Sequence, residues 1–174
     1  GDEIAELLFY EDLRDVVLVG TSSGGTVAIR AAEQMRDRIA RLVLVDALAL
    51  FPGERTRDIV NRNAPPPFGL AFAPARDDAA KGLFADLDPA TREWVLDRYT
   101  PHPVGCSMTP VQLRDFWHLD WKATVIWCRH AENPGEAHQR RSAAKLNAKW
   151  LELDTDHYPM LTMPDELTAM LTAG

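Results

Sequence analysis

The chain has 174 residues, 46% apolar and 26% charged, with a formal net charge of −7, the make-up of an ordinary globular domain with one sizeable core. The acidic balance speaks against a nucleic-acid surface, which would be basic, and no apolar run approaches the ~20 residues that cross a bilayer, nor does the acidic start resemble a signal peptide. Two cysteines, Cys106 and Cys128, offer neither a disulfide framework nor metal-ligand spacing, and are expected as free thiols in a reducing, cytoplasmic setting.

Residues 4–10 read as the end of a helix, with apolar residues at 4, 7 and 8. Val16-Val17-Leu18-Val19 follows, a run expected as a strand buried on both faces. Apolar residues at 27, 28, 31, 32 and 35 then fall at helical spacing and carry a helix to about Arg36. Between strand and helix stands Gly20-Thr21-Ser22-Ser23-Gly24, a G-x-S-x-G turn in the strand–turn–helix context of a nucleophile elbow. The turn is sharp, so side chains at Gly20 and Gly24 are expected to collide with the adjoining strand and helix. Ser22 is thereby held out over the carboxyl edge of the sheet, at the positive end of the following helix.

Arg41-Leu42-Val43-Leu44-Val45-Asp46 reads as a second, buried strand, and the strand–helix–strand alternation predicts an α/β fold with a parallel sheet. Residues 47–121 break that rhythm. They hold the run Pro65-Pro66-Pro67 and candidate helices near 77–85, 90–98 and 110–116, with no predicted strand. A connection so long is read as a lid over a site, its apolar surface supplied by Phe68, Leu70, Phe72, Trp94, Phe116, Trp117 and Trp121. The sheet resumes at 124–128, a helix is expected over 134–146, a strand over 149–153, a loop over 154–159 and a closing helix over 164–171 with proline in its first turn. One domain results, its core formed by 1–46 and 122–174 and its insertion by 47–121.

A serine hydroxyl needs a base within hydrogen-bond reach. Of the five histidines, His102 lies between prolines, His118 ends the insertion, His138 sits in a polar helix and His130 follows a strand. His157 follows the last strand, hence lies at the carboxyl edge where open α/β sheets place their sites, and it comes late in the chain, after the serine and any acid.

The stretches Val16 to Gly25, Asp37 to Ala47, and Asp156-His157-Tyr158-Pro159-Met160-Leu161 together resemble the α/β-hydrolase superfamily, within it the branch of small esterases and hydroxynitrile lyases. The resemblance implies a partial α/β-hydrolase fold, a Ser22–His157–acid triad, an acyl-enzyme mechanism and a helical cap between Asp46 and the strand at 124. Two carboxylates stand at positions where the superfamily places its acid: Asp46, the favoured one, and Glu132, after the strand 124–128. Asp154 and Asp156 are read as solvated loop charges. One oxyanion donor is expected from the backbone N–H of Ser23. The other comes, in the superfamily, from a loop before the elbow strand, so the resemblance implies strands and a loop that precede Val16. Either the chain is shortened, or a second copy or another segment supplies them, or hydrolysis is lost. Thr21 stands where the branch has His and Ser23 where it has an aromatic, which alters the pocket more than the mechanism. The expected function is serine hydrolysis of small apolar carboxylic esters, with no cofactor or metal, no membrane, and a homo-oligomer or supplied segment as partner. The alternative is a non-hydrolytic relative: a ligand-binding protein, lyase, cyclase or inactive shortened form.

Overall fold

The computed structural model describes residues 1–60 and 69–173; Pro65-Pro66-Pro67 and Phe68 lie outside them. In chain order the elements are α1 (Asp2–Tyr10), β1 (Val16–Ser22), α2 (Gly24–Gln34), β2 (Ile39–Ala47), α3 (Thr56–Ile59), β3 (Ala71–Phe72), α4 (Arg76–Lys81), α5 (Pro89–Leu96), β4 (His102–Pro103), α6 (Val104–Met108), β5 (Ala123–Cys128), α7 (Glu136–Leu146), β6 (Lys149–Leu153), α8 (Pro159–Thr162) and α9 (Pro164–Thr172). They form two compact units: residues 1–60 with 110–157, and residues 69–109 with 158–173.

The first unit is built on a four-stranded parallel sheet of order β1-β2-β5-β6. β2 is central and, apart from Ala40, buried along its whole length, as expected of an aliphatic strand with neighbours on both sides. One sheet face presents Leu42, Leu44 and Val125 to a core shared with Ile29 and Ala32 of α2 and Leu146 of α7. β1 departs from its expected burial. It is one of the two edge strands of the described sheet, and its burial alternates: Val17 is 43% and Val19 41% exposed, while Val16 and Leu18 pack on the core.

The segment 110–116, expected as a helix, is not one. Its backbone donors find a side chain instead: one carboxylate oxygen of Glu33 on α2 accepts the N–H groups of Arg114, Asp115 and Phe116 at 2.7–2.8 Å. A 3₁₀ turn, Phe116–His118, follows. Phe116, Trp117 and Trp121, expected as pocket surface, are core residues, 0%, 7% and 8% exposed and packed ring on ring. Each indole N–H is satisfied by a backbone carbonyl, of Leu50 for Trp117 and of Phe116 for Trp121.

The second unit contains α4 and α5 near their expected places. Asp88 caps α5 by accepting from the N–H groups of Ala90 and Thr91, with Pro89 in the first turn. It also contains what the sequence reading lacks, a two-residue antiparallel pairing of β3 with β4 and the short helix α6. Leu70 and Phe72 are exposed. A separate apolar cluster of Ala79, Phe84, Leu87 and Leu96 forms its core, with Tyr158 and Leu161 against it. Among the described residues no helix is long and apolar enough to cross a membrane.

Candidate active site

Parallel strands end on one rim, and that rim collects three of the candidate residues. Ser22 closes β1 with φ +50°, a left-handed conformation that is costly for a residue with a Cβ and marks a constrained turn. Two glycines make the turn possible. A Cβ on Gly20 would lie 2.8 Å from the Cα of Gly25, and one on Gly25 would lie 2.7 Å from both the Cβ of Ala47 and the carbonyl oxygen of Leu48. Gly24, expected to be equally crowded, faces open space, because the close approach of α2 to the end of β2 falls one residue later. Ser22 pairs in register with Ala47, and the Leu48 N–H donates to the Ser22 carbonyl at 2.8 Å. Ser23 is the N-cap residue of α2, so its amide stands at the positive end of an eleven-residue helix.

Asp46 lies one residue before the end of β2, 0% exposed, with φ +42°. His157 lies four residues beyond β6 on the loop that leaves the same rim. The two meet: Nδ1 of His157 is 2.5 Å from Oδ2 of Asp46. A carboxylate can only accept, so the proton in this contact belongs to Nδ1 and the lone pair of a neutral ring to Nε2. Glu132, the other candidate acid, is exposed on the loop after β5. Asp154, expected as a solvated charge, is exposed but pairs with Arg129 at 2.7 Å and with His130 at 3.2 Å; Asp156 is half-buried.

Asp46 has a second neighbour that the sequence reading overlooks. The side-chain nitrogen of Gln139 on α7 lies 3.4 Å from Oδ1 of Asp46 and 3.2 Å from the carbonyl of Ala47. The same helix braces the segment beyond Asp46. The Ala49 N–H donates to Nε2 of His138 at 3.1 Å, and Arg141 grips Glu54 through two bonds of 2.6 and 2.9 Å. Burial pushes the Glu54 carboxyl up, but the Arg141 fork and the Phe51 N–H outweigh it and hold it below the usual range. A signal for Gln139 was present. Residues 139, 142, 143 and 146 fall at helical spacing on one buried stripe of α7, and a glutamine on such a stripe needs a polar partner.

Cys128 closes β5 at this end of the sheet, but burial, then the charges of Asp46 and Asp156, push its thiol up to about 12, which removes it as a nucleophile at neutral pH. No group of three or more His, Cys, Asp or Glu that could hold a metal is found among the described residues. The second unit carries an apolar cleft of about 340 Å³ lined by Phe84, Trp94, Tyr99, Tyr158, Met160 and Leu161 among others, with the Arg98 guanidinium stacked on Trp94 at 4.5 Å.

Residues 2–170 match the model of the Alpha/beta hydrolase family. Lipase LipV of Mycobacterium tuberculosis (strain ATCC 25618 / H37Rv) is 38% identical over 96 residues, which make up 55% of this chain and 37% of that protein. Among solved structures, an extracellular alpha/beta-hydrolase from a Paenibacillus species superposes with a TM-score of 0.80 at 18% identity, covering 98% of this chain and 75% of that one. Polyneuridine aldehyde esterase superposes with a TM-score of 0.70 at 20% identity, covering 92% and 71%. At such identities the structural likenesses show the fold.

Proposed function

The chain belongs to the Alpha/beta hydrolase family, and we propose that it hydrolyses small carboxylic esters through a serine acyl-enzyme, with Ser22 as nucleophile, His157 as base and Asp46 as the acid that orients the ring. The observation that carries this reading is the 2.5 Å contact between Nδ1 of His157 and a fully buried Asp46. A buried carboxylate is costly unless paired, and this one is paired with Nδ1 of the His157 imidazole. The relative named a lipase supports the same class.

In this mechanism Nε2 of His157 takes the Ser22 proton as Oγ attacks the ester carbonyl. The carbonyl electron pair moves onto oxygen, where the Ser23 amide at the start of α2 stabilises it. The pair returns as the C–O bond breaks, and the imidazolium gives its proton to the departing alcohol. Water then repeats the cycle on the acyl-enzyme, releasing the carboxylic acid and restoring Ser22. Asp46 stays ionised throughout and stabilises the transient imidazolium. The substrate proposed is an apolar ester of low molecular weight.

Turnover of p-nitrophenyl acetate by the purified chain tests the proposal, with a fluorophosphonate probe read by mass spectrometry. The expected result is hydrolysis that falls at least about 10⁴-fold in Ser22→Ala, together with probe adduct on Ser22. Undiminished hydrolysis in Ser22→Ala overturns it. So does ligand binding by a chain that the probe leaves unlabelled, the behaviour of a non-hydrolytic relative.

A further inference from the structure

Gln139 is 0% exposed, and a polar side chain so deep in a helix face needs a reason. Its nitrogen faces two groups that can only accept, Oδ1 of Asp46 at 3.4 Å and the Ala47 carbonyl at 3.2 Å. Turning the amide over would set its oxygen against a carboxylate and a carbonyl, so chemistry fixes its orientation. The cost of that orientation is visible: the buried Oε1 of Gln139 finds no donor among the described residues. A methionine or leucine would fill the same volume with no oxygen to desolvate. The site therefore keeps the amide for what its nitrogen does.

Resting on the esterase reading above, we propose that Gln139 is a positioning residue for the Asp46–His157 pair. The two oxygens of Asp46 are divided, Oδ2 to His157 and Oδ1 to Gln139, and a carboxylate held at both oxygens has its plane fixed. That plane sets the plane of the imidazole, and with it the direction in which Nε2 points. The backbone gives Asp46 little help, because φ +42° places it in a strained irregularity of β2, where the pairing with β1 shifts register. α7 supplies the restraint: Gln139 holds Asp46 and Ala47, and His138 holds Ala49 one turn of chain further on. Gln139 touches no reacting atom; it acts through Asp46.

Two variants of similar volume that lack a donor, Gln139→Met and Gln139→Leu, test this with two readouts. The first is kcat and KM on p-nitrophenyl acetate. The second is the far-downfield proton resonance of the Nδ1–H of His157, deshielded by its short bond to an ionised acceptor. The expected result is a folded protein whose kcat falls between about 10- and 100-fold, the scale of a slightly misdirected catalytic group. KM stays put, and the Nδ1 proton resonance is displaced or broadened. A variant that folds with wild-type kcat and an unmoved resonance overturns the proposal. Loss of folding in both variants overturns it too, by assigning Gln139 to the scaffold. A wild-type chain without esterase turnover defeats the esterase reading, while the resonance still decides whether Gln139 sets the geometry of the pair.

Discussion

Cys128 and Ser22 close two strands that end on the same rim, and both are candidate nucleophiles by chemistry alone. The environment separates them. Cys128 is 0% exposed with its thiol pushed up to about 12 by burial and then by Asp46 and Asp156, whereas Cys106 is exposed on α6. Alkylation needs the thiolate, so the native chain treated with iodoacetamide at neutral pH is expected to gain one adduct, on Cys106, by intact-mass and peptide analysis. A second adduct should follow only after unfolding in urea; two adducts formed at equal rates on the native chain would contradict this assignment. Ser22 and His157 could be named as candidates from the sequence because each is announced locally, one by glycines around a turn, the other by its place after the last strand. The candidate acid was favoured as Asp46 but left open against Glu132, because both follow strands, and what sets Asp46 apart is a contact with His157 spanning 111 residues of chain. Gln139 could be flagged by its place on a buried helical stripe, but its partner could not, because that partner is an oxygen that no local pattern reveals.

Elements with neighbours on both sides were the easiest to read. β2 and β5, the two inner strands, formed where aliphatic runs predict them, because a strand buried on both faces has few alternatives. β1 has the same composition and a different fate, since burial depends on what covers a strand and not on its own residues. The segment 110–116 shows the converse, where an apolar spacing compatible with a helix loses to one long-range acceptor. Glu33 takes three backbone N–H groups on a single oxygen, and one of the donors belongs to Phe116, which is wholly buried. Removing that acceptor leaves the part-buried Phe116 N–H without it, while the exposed N–H groups of Arg114 and Asp115 can turn to water. Glu33→Ala is expected to lower stability by about 1–3 kcal/mol in urea unfolding, the cost of leaving one part-buried donor unsatisfied. Glu33→Gln keeps an oxygen in place without its charge and should lose less. Equal losses for the two variants would show that charge contributes nothing to the clamp.

At the scale of the whole chain, a net charge of −7 works against an apolar surface. Val17 and Val19 are exposed on an edge strand of the described sheet, and Leu7, Phe9 and Tyr10 of α1 are between 50% and 79% exposed. An edge strand of this kind carries a row of backbone donors and acceptors, and β1 has neither lysine nor proline to discourage pairing with another strand. Repulsion between like-charged copies opposes such pairing, and it depends on pH and salt. The sequence isoelectric point is about 5.2, so lowering the pH from neutrality towards that value protonates the histidines first and then a minority of the carboxylates, takes the net charge from −7 towards zero and removes the repulsion. Light scattering is expected to show self-association that grows along this path, and that also grows when salt is added at neutral pH. Val19→Lys places a charge on the strand that would pair. It should suppress the association although it brings the net charge closer to zero, so charge and edge effects point in opposite directions. If Val19→Lys associates more than the parent chain, net charge governs and the edge of β1 does not; if it associates less, the edge is the contact that the charge was holding apart.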